Sequence, residues 1–348
     1  MSDLRRFVIE ERGTTAALDA YVVGAAAARR PGGPAAFVLG DGTVRLLDPA
    51  NREWRSVPAH EGAVLAFAEA PGGPTMGGFV TGGDDGRFCF IGLDGAVQEV
   101  AKLGGRWVEQ VASYGDAKGG LLACASGKNA HVFDGGGRKL KQLAHPSTVT
   151  GLAFDGRGKR LGASHYNGAS LWFVAAKEDK PRVLEWKGSH TGIVIHPGGE
   201  AAVTAMQENA LHGWRLADGQ HMRMSGYPAK TESLSFSRTG KWLASSGADT
   251  VVLWPFFGGG PMGKPPVELA GGDGVLCNRV AFHPQSDMVA AGFSDGLVVL
   301  ADVGTERVLP IVPPGKGAIT ALAWGADGTS LALGTDQGFA ALIDLRKQ

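Results

Sequence analysis

The stretch AFHPQSDMVAAGFSDGLVVLADV, residues 281–303, contains an apolar segment, a polar turn, a run of small residues, a second turn and another apolar segment, in that order. The stretch LSFSRTGKWLASSGADTVVLWPF, residues 234–256, has the same order. In both stretches an aspartate follows a phenylalanine by 13 residues. Short apolar segments separated by turns rich in Gly, Asp and Pro are typical of β-strands joined by tight turns. The two stretches therefore predict one repeating β-unit.

The second turn of this unit recurs along the whole chain at intervals of 38 to 46 residues. Its central residue is Asp, Asn or Gln, at Asp41, Asp85, Asn129, Asn167, Asn209, Asp249, Asp295 and Gln337. The chain also contains 55 glycines, a residue that helix interiors avoid. A period of about 40–45 residues with four short strands per unit is the signature of a β-propeller blade.

The repeating units resemble WD40 repeats, with strands A to D running outward from a central channel, and the resemblance covers nearly the whole chain. It implies an all-β, closed β-propeller fold. The Trp-Asp pair that ends the C strand in this family is never intact here, since Trp172, Trp214 and Trp254 have no Asp after them. We therefore expect the buried His–Asp–Ser/Thr–Trp network of such blades to be mostly incomplete.

Eight turns predict eight four-stranded antiparallel blades, and seven, the commoner number in this family, is the alternative. The last unit, within 320–345, has sequence for only three strands, whereas residues 6–11 precede the first unit. We expect residues 6–11 to supply the missing outer strand and close the ring, because closure removes exposed sheet edges. Residues 1–348 would then form a single domain.

Composition narrows the possible functions. Thirty-four basic and 34 acidic residues cancel, with no basic stripe of the kind that binds nucleic acid. No apolar run is long enough for a membrane helix, and the N-terminus lacks the apolar core of a signal peptide. The three cysteines form no C-x-x-C pair. We expect a cytoplasmic protein that binds neither nucleic acid nor membrane, and the Gly and Ala content resembles that of a bacterial protein.

One motif suggests a nucleotide site. In residues 256–267, FFGGGPMGKPPV, Gly258, Gly263 and Lys264 fit the phosphate-binding pattern G-x-x-x-x-G-K. Such a loop must follow a buried parallel strand and begin a helix, with a Ser or Thr after the lysine. Here two prolines follow Lys264. We therefore predict a long hairpin loop between strands C and D that binds no nucleotide.

Aligning the A strands predicts a ring of residues at the channel mouth, on the face that carries the D–A and B–C loops. The ring consists of Ala63, Glu109, Thr150, Thr191, Glu232, Asn278 and Thr320. Aromatic residues and arginines supply many binding hot spots. The partner-binding candidates on this face are Trp107, His165, Tyr166, Tyr227, Arg279, Phe293, Glu109 and Glu232. For Trp107, burial between the second and third blades is the alternative.

The sequence contains no G-x-S-x-G or H-E-x-x-H motif and no Cys–His pair that the register would bring together. We predict a non-catalytic scaffold that presents this face to a protein or peptide and needs no cofactor. The alternative is a zinc-linked accessory protein, because His145, His165 and His190 could gather around the fourth blade and imidazole trios suit zinc. A hydrolase or lyase activity in the channel is a third, weaker hypothesis.

Overall fold

The computed structural model describes residues 6–30, 32–72, 77–116, 119–272 and 274–346. The chain begins with helix α1 (Val8–Arg12) and strand β1 (Gly13–Ala17). The first three units follow, with four strands each. They are β2 (Val22–Ala27), β3 (Ala35–Leu39), β4 (Thr43–Leu47) and β5 (Trp54–Pro58); β6 (Val64–Ala70), β7 (Gly78–Gly83), β8 (Arg87–Gly92) and β9 (Val97–Lys102); and β10 (Gln110–Asp116), β11 (Gly119–Ser126), β12 (Asn129–Asp134) and β13 (Lys139–Ala144).

The fourth and fifth units share a long strand. They comprise β14 (Gly151–Phe154), β15 (Arg160–Phe173), β16 (Arg182–Ile195), β17 (Ala201–Met206), β18 (Ala210–Arg215) and β19 (His221–Ser225). The last three units are β20 (Leu234–Phe236), β21 (Trp242–Ser245), β22 (Thr250–Pro255) and β23 (Val267–Gly271); β24 (Cys277–Phe282), β25 (Met288–Phe293), β26 (Val298–Asp302) and β27 (Val308–Val312); and β28 (Ile319–Trp324), β29 (Ser330–Thr335) and β30 (Phe339–Asp344), to which β1 is added.

The all-β propeller prediction is confirmed. Among the described residues the strands form seven hydrogen-bonded sheets, six of four strands and one of six, β14–β19, so the number of sheets supports the seven-blade alternative. The six-stranded sheet holds two repeat units, because β16 continues from the D strand of the fourth unit into the A strand of the fifth. The first strands of neighbouring units contact one another around the whole ring.

The hydrophobic core consists of clusters between the faces of neighbouring units. Small residues in the B strands allow this close packing. A Cβ added to Gly292 would come within 2.4 Å of Ile319 in the next unit, and one added to Gly334 within 2.2 Å of Val22 in the first unit. Both distances are shorter than any real carbon contact, so the run of small residues seen in the sequence is a packing requirement.

The A strands are also joined by hydroxyl groups that bond to the backbone of a neighbouring unit. Ser233 Oγ donates to the carbonyl of Val280 at 3.2 Å and accepts from its amide at 3.0 Å. Ser113 Oγ donates to the carbonyl of Glu69 in the preceding unit. Thr320 Oγ1 donates to the carbonyl of Val22 at 2.6 Å, which links the last unit to the first.

An N-terminal strand closes the last unit, but the predicted residues, 6–11, were wrong. The closing strand is β1, whose Gly13 to Ala17 pair with Ile343 to Phe339 of β30. Most of residues 6–11 lie in α1 instead. Ile9, 8% exposed, packs into the hydrophobic cluster between the seventh and eighth units. A strand that continued outward along β30 would not reach this cluster, and this is why the segment does not extend the strand.

Partial buried polar networks stiffen several units, and among the described residues none of these networks joins all four members of the His–Asp–Ser/Thr–Trp set. In the second unit, His60 Nδ1 lies 3.0 Å from Asp85 Oδ1 and His60 Nε2 lies 2.9 Å from Thr81 Oγ1. Burial opposes ionisation of Asp85, but the His60 contact and two backbone amides outweigh it and hold the pKa of this carboxyl below its ordinary value. In the fifth unit, His190 Nδ1 lies 2.7 Å from Thr204 Oγ1.

The fourth and sixth units use different groups for the same purpose. Trp172 Nε1 donates to His145 Nε2 at 3.0 Å. In the sixth unit Tyr227 takes the place of a histidine: its hydroxyl lies 2.5 Å from Ser245 Oγ and accepts from Trp254 Nε1 at 2.6 Å. None of these four networks contains the full His–Asp–Ser/Thr–Trp set, as expected from the sequence. In the sixth unit the tyrosine hydroxyl can both donate and accept where the family pattern has histidine.

Removing β1 tests the closure. A chain that starts at residue 18 exposes the edge of β30, and we expect it to aggregate and to melt at clearly lower temperature, since an unpaired edge templates association. A chain that starts at residue 6 keeps α1 and β1 and serves as the control. Thermal unfolding and light scattering compare the two. Equal melting temperatures and equal solubility would show that the ring does not need β1.

The sixth-unit network gives a second prediction. Tyr227→Phe leaves the Trp254 indole N–H buried without its acceptor, which we expect to lower the free energy of unfolding by about 1–3 kcal/mol. Tyr21→Phe is the matched control, because Tyr21 is 46% exposed, and its effect should stay within about 0.5 kcal/mol. Urea unfolding measures both. Similar values for the two variants would contradict the proposed importance of the network.

The buried histidines predict how stability depends on pH. Burial lowers the pKa of His131 and His145 to about 4 and that of His212 to about 3. In the unfolded chain a histidine titrates near about 6.5, so between these values the unfolded state binds more protons. The contribution of each neutral histidine to the free energy of unfolding is therefore fully present above the unfolded-state pKa. It falls as the pH is lowered towards the folded-state pKa, by up to about 1.4 kcal/mol per pH unit for each histidine.

Urea unfolding between neutral pH and pH about 5 measures this slope. His145→Gln keeps an acceptor for the Trp172 indole but removes one titrating group. We expect its stability to fall less steeply than that of the native chain over the same range. An unchanged slope would mean that His145 binds protons equally in both states.

Candidate functional site

The strongest candidate site is a pocket at the mouth of the channel, on the face with the D–A and B–C loops. It has a volume of about 450 Å³ and lies where the first strands of the fifth, sixth and seventh units begin. Its charged lining residues are Lys230, Glu232 and Arg279, and Thr191 lies beside them. Two of these four, Thr191 and Glu232, belong to the ring that the A-strand register predicted.

Arg279 is held in a fixed position across three units. Its Nε donates to the carbonyl of Thr320 at 2.7 Å, and its Nη1 donates to Glu232 Oε2 and to the carbonyl of Asn278, both at 2.9 Å. The Arg279 side chain is 24% exposed and that of Glu232 is 56% exposed. The ion pair therefore faces solvent at the pocket while the guanidinium is anchored by backbone carbonyls.

Exposed aromatic side chains occur on the same face. Tyr166, within β15 of the fourth unit, is 59% exposed, and its backbone amide donates to Ser147 Oγ at 2.9 Å. Trp107, in the D–A loop before the third unit, is 57% exposed. The neighbouring Val108 fills the position between the second and third units that was the alternative for Trp107. Glu109, next along this loop, is also exposed.

Three of the sequence-predicted partner residues are buried and cannot contact a partner. Tyr227 is 8% exposed because it belongs to the sixth-unit network. Phe293, 1% exposed, lies in the core between the sixth and seventh units. His165, 2% exposed, lies beneath Tyr166, with Nδ1 2.9 Å from the Tyr166 carbonyl and Nε2 2.9 Å from Ser170 Oγ. The register placed these residues near the correct face but did not reveal their orientation.

The histidines of the zinc alternative are engaged by the protein itself. His145 and His165 lie close, with ring centroids 5.9 Å apart, but the ring nitrogens of both have protein partners. His190 Nε2 lies 2.9 Å from the Trp186 carbonyl, and its Nδ1 contacts Thr204. Within the described residues, no group of three or more His, Cys, Asp or Glu side chains is placed to hold a metal ion. These residues do not fit a zinc site.

The Gly-Lys motif has a structural explanation. Residues 256–266 connect β22 to β23 without helix or strand, as the sequence predicted for a hairpin loop. Lys264 Nζ donates to the carbonyl of Gly260 at 2.8 Å and to that of Phe257, and lies 4.8 Å from the Phe257 ring centroid. The lysine therefore stabilises its own loop. That the loop binds no nucleotide remains a prediction.

The three cysteines are free and buried. Burial raises the pKa of Cys89 to about 11 and that of Cys277 to about 12, and it raises the pKa of Cys124 as well. A thiol acts as a nucleophile only when it is ionised and accessible. These cysteines are therefore structural.

The groups that the mouth pocket offers are suited to recognition. They are one anchored arginine, one lysine, one carboxylate and hydroxyl groups.

Two family profiles match parts of the chain. The one described as the anaphase-promoting complex subunit 4 WD40 domain matches residues 280–348, and the one described as WD domain, G-beta repeat, matches residues 223–254. A curated relative, WD repeat-containing protein SL1-17 of Schistosoma mansoni, is 26% identical over 147 residues, which is 41% of this chain and 47% of that protein. The chain thus matches about half the length of this relative.

Among solved structures, the computationally designed protein Ika8 superposes with a TM-score of 0.74 over 94% of this chain and 96% of its own, at 19% identity. A likeness at that identity shows the fold alone. In the part of the chain that the structure describes, no helix is long and apolar enough to cross a membrane. The two profile matches and the curated relative support a WD40-repeat family for this chain, and the superposition shows that it has the propeller fold.

Proposed function

We propose that this protein is a non-catalytic interaction scaffold whose channel mouth binds a protein or peptide segment. The observation that carries the proposal is the mouth pocket of about 450 Å³, with Lys230, Glu232 and Arg279 in its lining. WD40 propellers are in general protein-interaction scaffolds, which agrees with this proposal. A rigid closed scaffold with variable loops is well suited to recognition.

The charges of the pocket favour a segment that carries both signs of charge. Lys230 is exposed and has no ion pair among the described residues, so it is free to bind a carboxylate. Glu232 is more than half exposed and can accept from a partner's lysine or from backbone amides. Arg279 is already oriented by Thr320 and Asn278, so ordering it on binding requires little loss of conformational entropy.

Exposed aromatic rings on the same face would extend the contact. Tyr166 and Trp107 each have more than half of their surface in solvent, and aromatic residues are over-represented among binding hot spots. Glu109 adds a carboxylate next to Trp107. We propose Trp107, Glu109, Tyr166, Lys230 and Glu232 as partner contacts, with Arg279 as the anchored centre. We also propose the cytoplasm as the location, since three free thiols suit a reducing compartment.

The decisive experiment compares two double variants in affinity purification from the source organism with quantitative mass spectrometry. Tyr166→Ala with Lys230→Ala alters the mouth face at one pocket residue, Lys230, and at Tyr166 outside the pocket, and neither side chain carries a described structural contact. Phe173→Ala with Lys177→Ala is the matched control, because it removes an exposed aromatic ring and an exposed lysine outside the mouth. Loss of two hot-spot side chains should cost about 2 kcal/mol or more, which is roughly 30-fold in affinity.

We expect at least one partner to be recovered with the native chain and the control but lost with the mouth variant. Titration calorimetry with that partner then measures the affinity difference. Both variants should melt like the native chain, because surface changes away from structural contacts have small effects. Equal recovery of every partner by the two variants would exclude the mouth as the binding surface.

A further inference from the structure

A second pocket, which we call the arginine pocket, lies on the opposite face, where the last unit meets the first. It has a volume of about 570 Å³. Its walls come from the A–B and C–D turns of the first unit, the A–B turn of the last unit and the adjoining ends of β1 and β30. The site therefore exists only because the ring closes, which brings together turns that are about 300 residues apart in the sequence.

Every basic residue that lines this pocket is an arginine. The five are Arg12, Arg29, Arg30, Arg52 and Arg346. Two aspartates, Asp327 and Asp344, also line it. Glu69 lies outside the lining but forms an ion pair with Arg29, with Arg29 Nε 3.2 Å from Glu69 Oε2. The five arginines and these three carboxylates together leave a surplus of two positive charges.

Some of these arginines are positioned by the protein and others are free. Arg346 forms an ion pair with Asp344, and Arg12 Nη1 donates to the Arg346 carbonyl at 2.9 Å. The hydrogen bond from Arg346 is the main cause that holds the pKa of the Asp344 carboxyl below its ordinary value. Arg30 and Arg52 are exposed and have no ion pair among the described residues. Their guanidinium groups are available to a ligand.

The chemistry of the pocket favours a phosphoryl group. A guanidinium presents a planar pair of N–H donors that matches the oxygens of carboxylate and phosphate, and lysine lacks this geometry. A phosphorylated side chain carries about −1.5 to −2 charge, which is close to the surplus in the pocket. A single carboxylate would neutralise only half of that surplus.

A peptide fits the surroundings better than a membrane surface. Asp327 and Asp344 lie in the lining, where they would repel a sheet of anionic headgroups but can accept hydrogen bonds from peptide amides. Surface-binding proteins insert apolar side chains into the bilayer. None of the large exposed apolar side chains of the described residues lines this pocket.

We propose that the arginine pocket binds a phosphorylated side chain within a peptide segment, with Arg30 and Arg52 as the principal ligands of the phosphoryl oxygens. Arg12 and Arg346 shape the pocket floor through their mutual contact and the pair with Asp344. This site lies on the opposite face from the channel mouth, so it is independent of the function proposed above.

The test uses fluorescence anisotropy with the full chain. The probe is a fluorescein-labelled heptapeptide with a central phosphoserine flanked by uncharged residues, and its unphosphorylated copy is the first control. The variant is R30Q with R52Q. The matched control, R157Q with R238Q, removes the same charge from exposed arginines in A–B turns of the same face. Circular dichroism checks that all chains are folded.

We expect the phosphopeptide to bind the native chain and the R157Q, R238Q control equally, and the R30Q, R52Q variant at least about tenfold more weakly. R52K keeps the charge but loses the planar donor pair, so it should bind with intermediate affinity. The unphosphorylated peptide should bind more weakly than the phosphopeptide.

Four outcomes would overturn the proposal. They are no binding of the phosphopeptide, equal binding by R30Q with R52Q, equal competition by inorganic phosphate alone, and tighter arginine-dependent binding to phosphatidylcholine vesicles containing phosphatidylserine. The third would indicate a small-anion site and the fourth a membrane contact. Because the variants leave the channel mouth unchanged, these results are separate from any result on the scaffold function.

Discussion

The pairing of β1 with β30 is the interaction on which the rest of the structure depends. It joins residues from opposite ends of the chain, from Gly13 with Ile343 to Ala17 with Phe339, and supplies the fourth strand of the last unit. Thr320 Oγ1 reinforces it at the inner end by its bond to the Val22 carbonyl. Each unit buries its faces only against its neighbours, so an open ring would expose two apolar faces and a bare strand edge.

Within the ring, three units meet the same physical demand with different side chains. A buried polar group between the strands must have a partner, because an unsatisfied one lowers stability by about 1–3 kcal/mol. His60 with Asp85, His190 with Thr204 and Tyr227 with Trp254 are three solutions to this demand. In these three units, buried polar side chains therefore find partners although the Trp-Asp pair is missing.

The two faces of the ring present different chemistry although the chain as a whole is neutral. The mouth combines Lys230, Arg279 and Glu232, a mixed-charge arrangement suited to a segment with both signs. The opposite face concentrates arginines at the seam between the first and last units. A balance of 34 basic and 34 acidic residues conceals this separation, because net charge records number and not position.

The sequence by itself determined the repeating unit, the propeller and the face on which Tyr166 and Glu232 lie, because strand period and turn residues are local properties of the chain. The exposure of Trp107, the burial of Phe293 and the role of Tyr227 were decided by packing between units, since register gives a residue's place along a strand but not which neighbour its side chain meets. The continuous β16 and the shift of the closing strand from residues 6–11 to Gly13–Ala17 were likewise decided by tertiary contacts. The arginine pocket joins turns from both ends of the chain, and only ring closure brings them together.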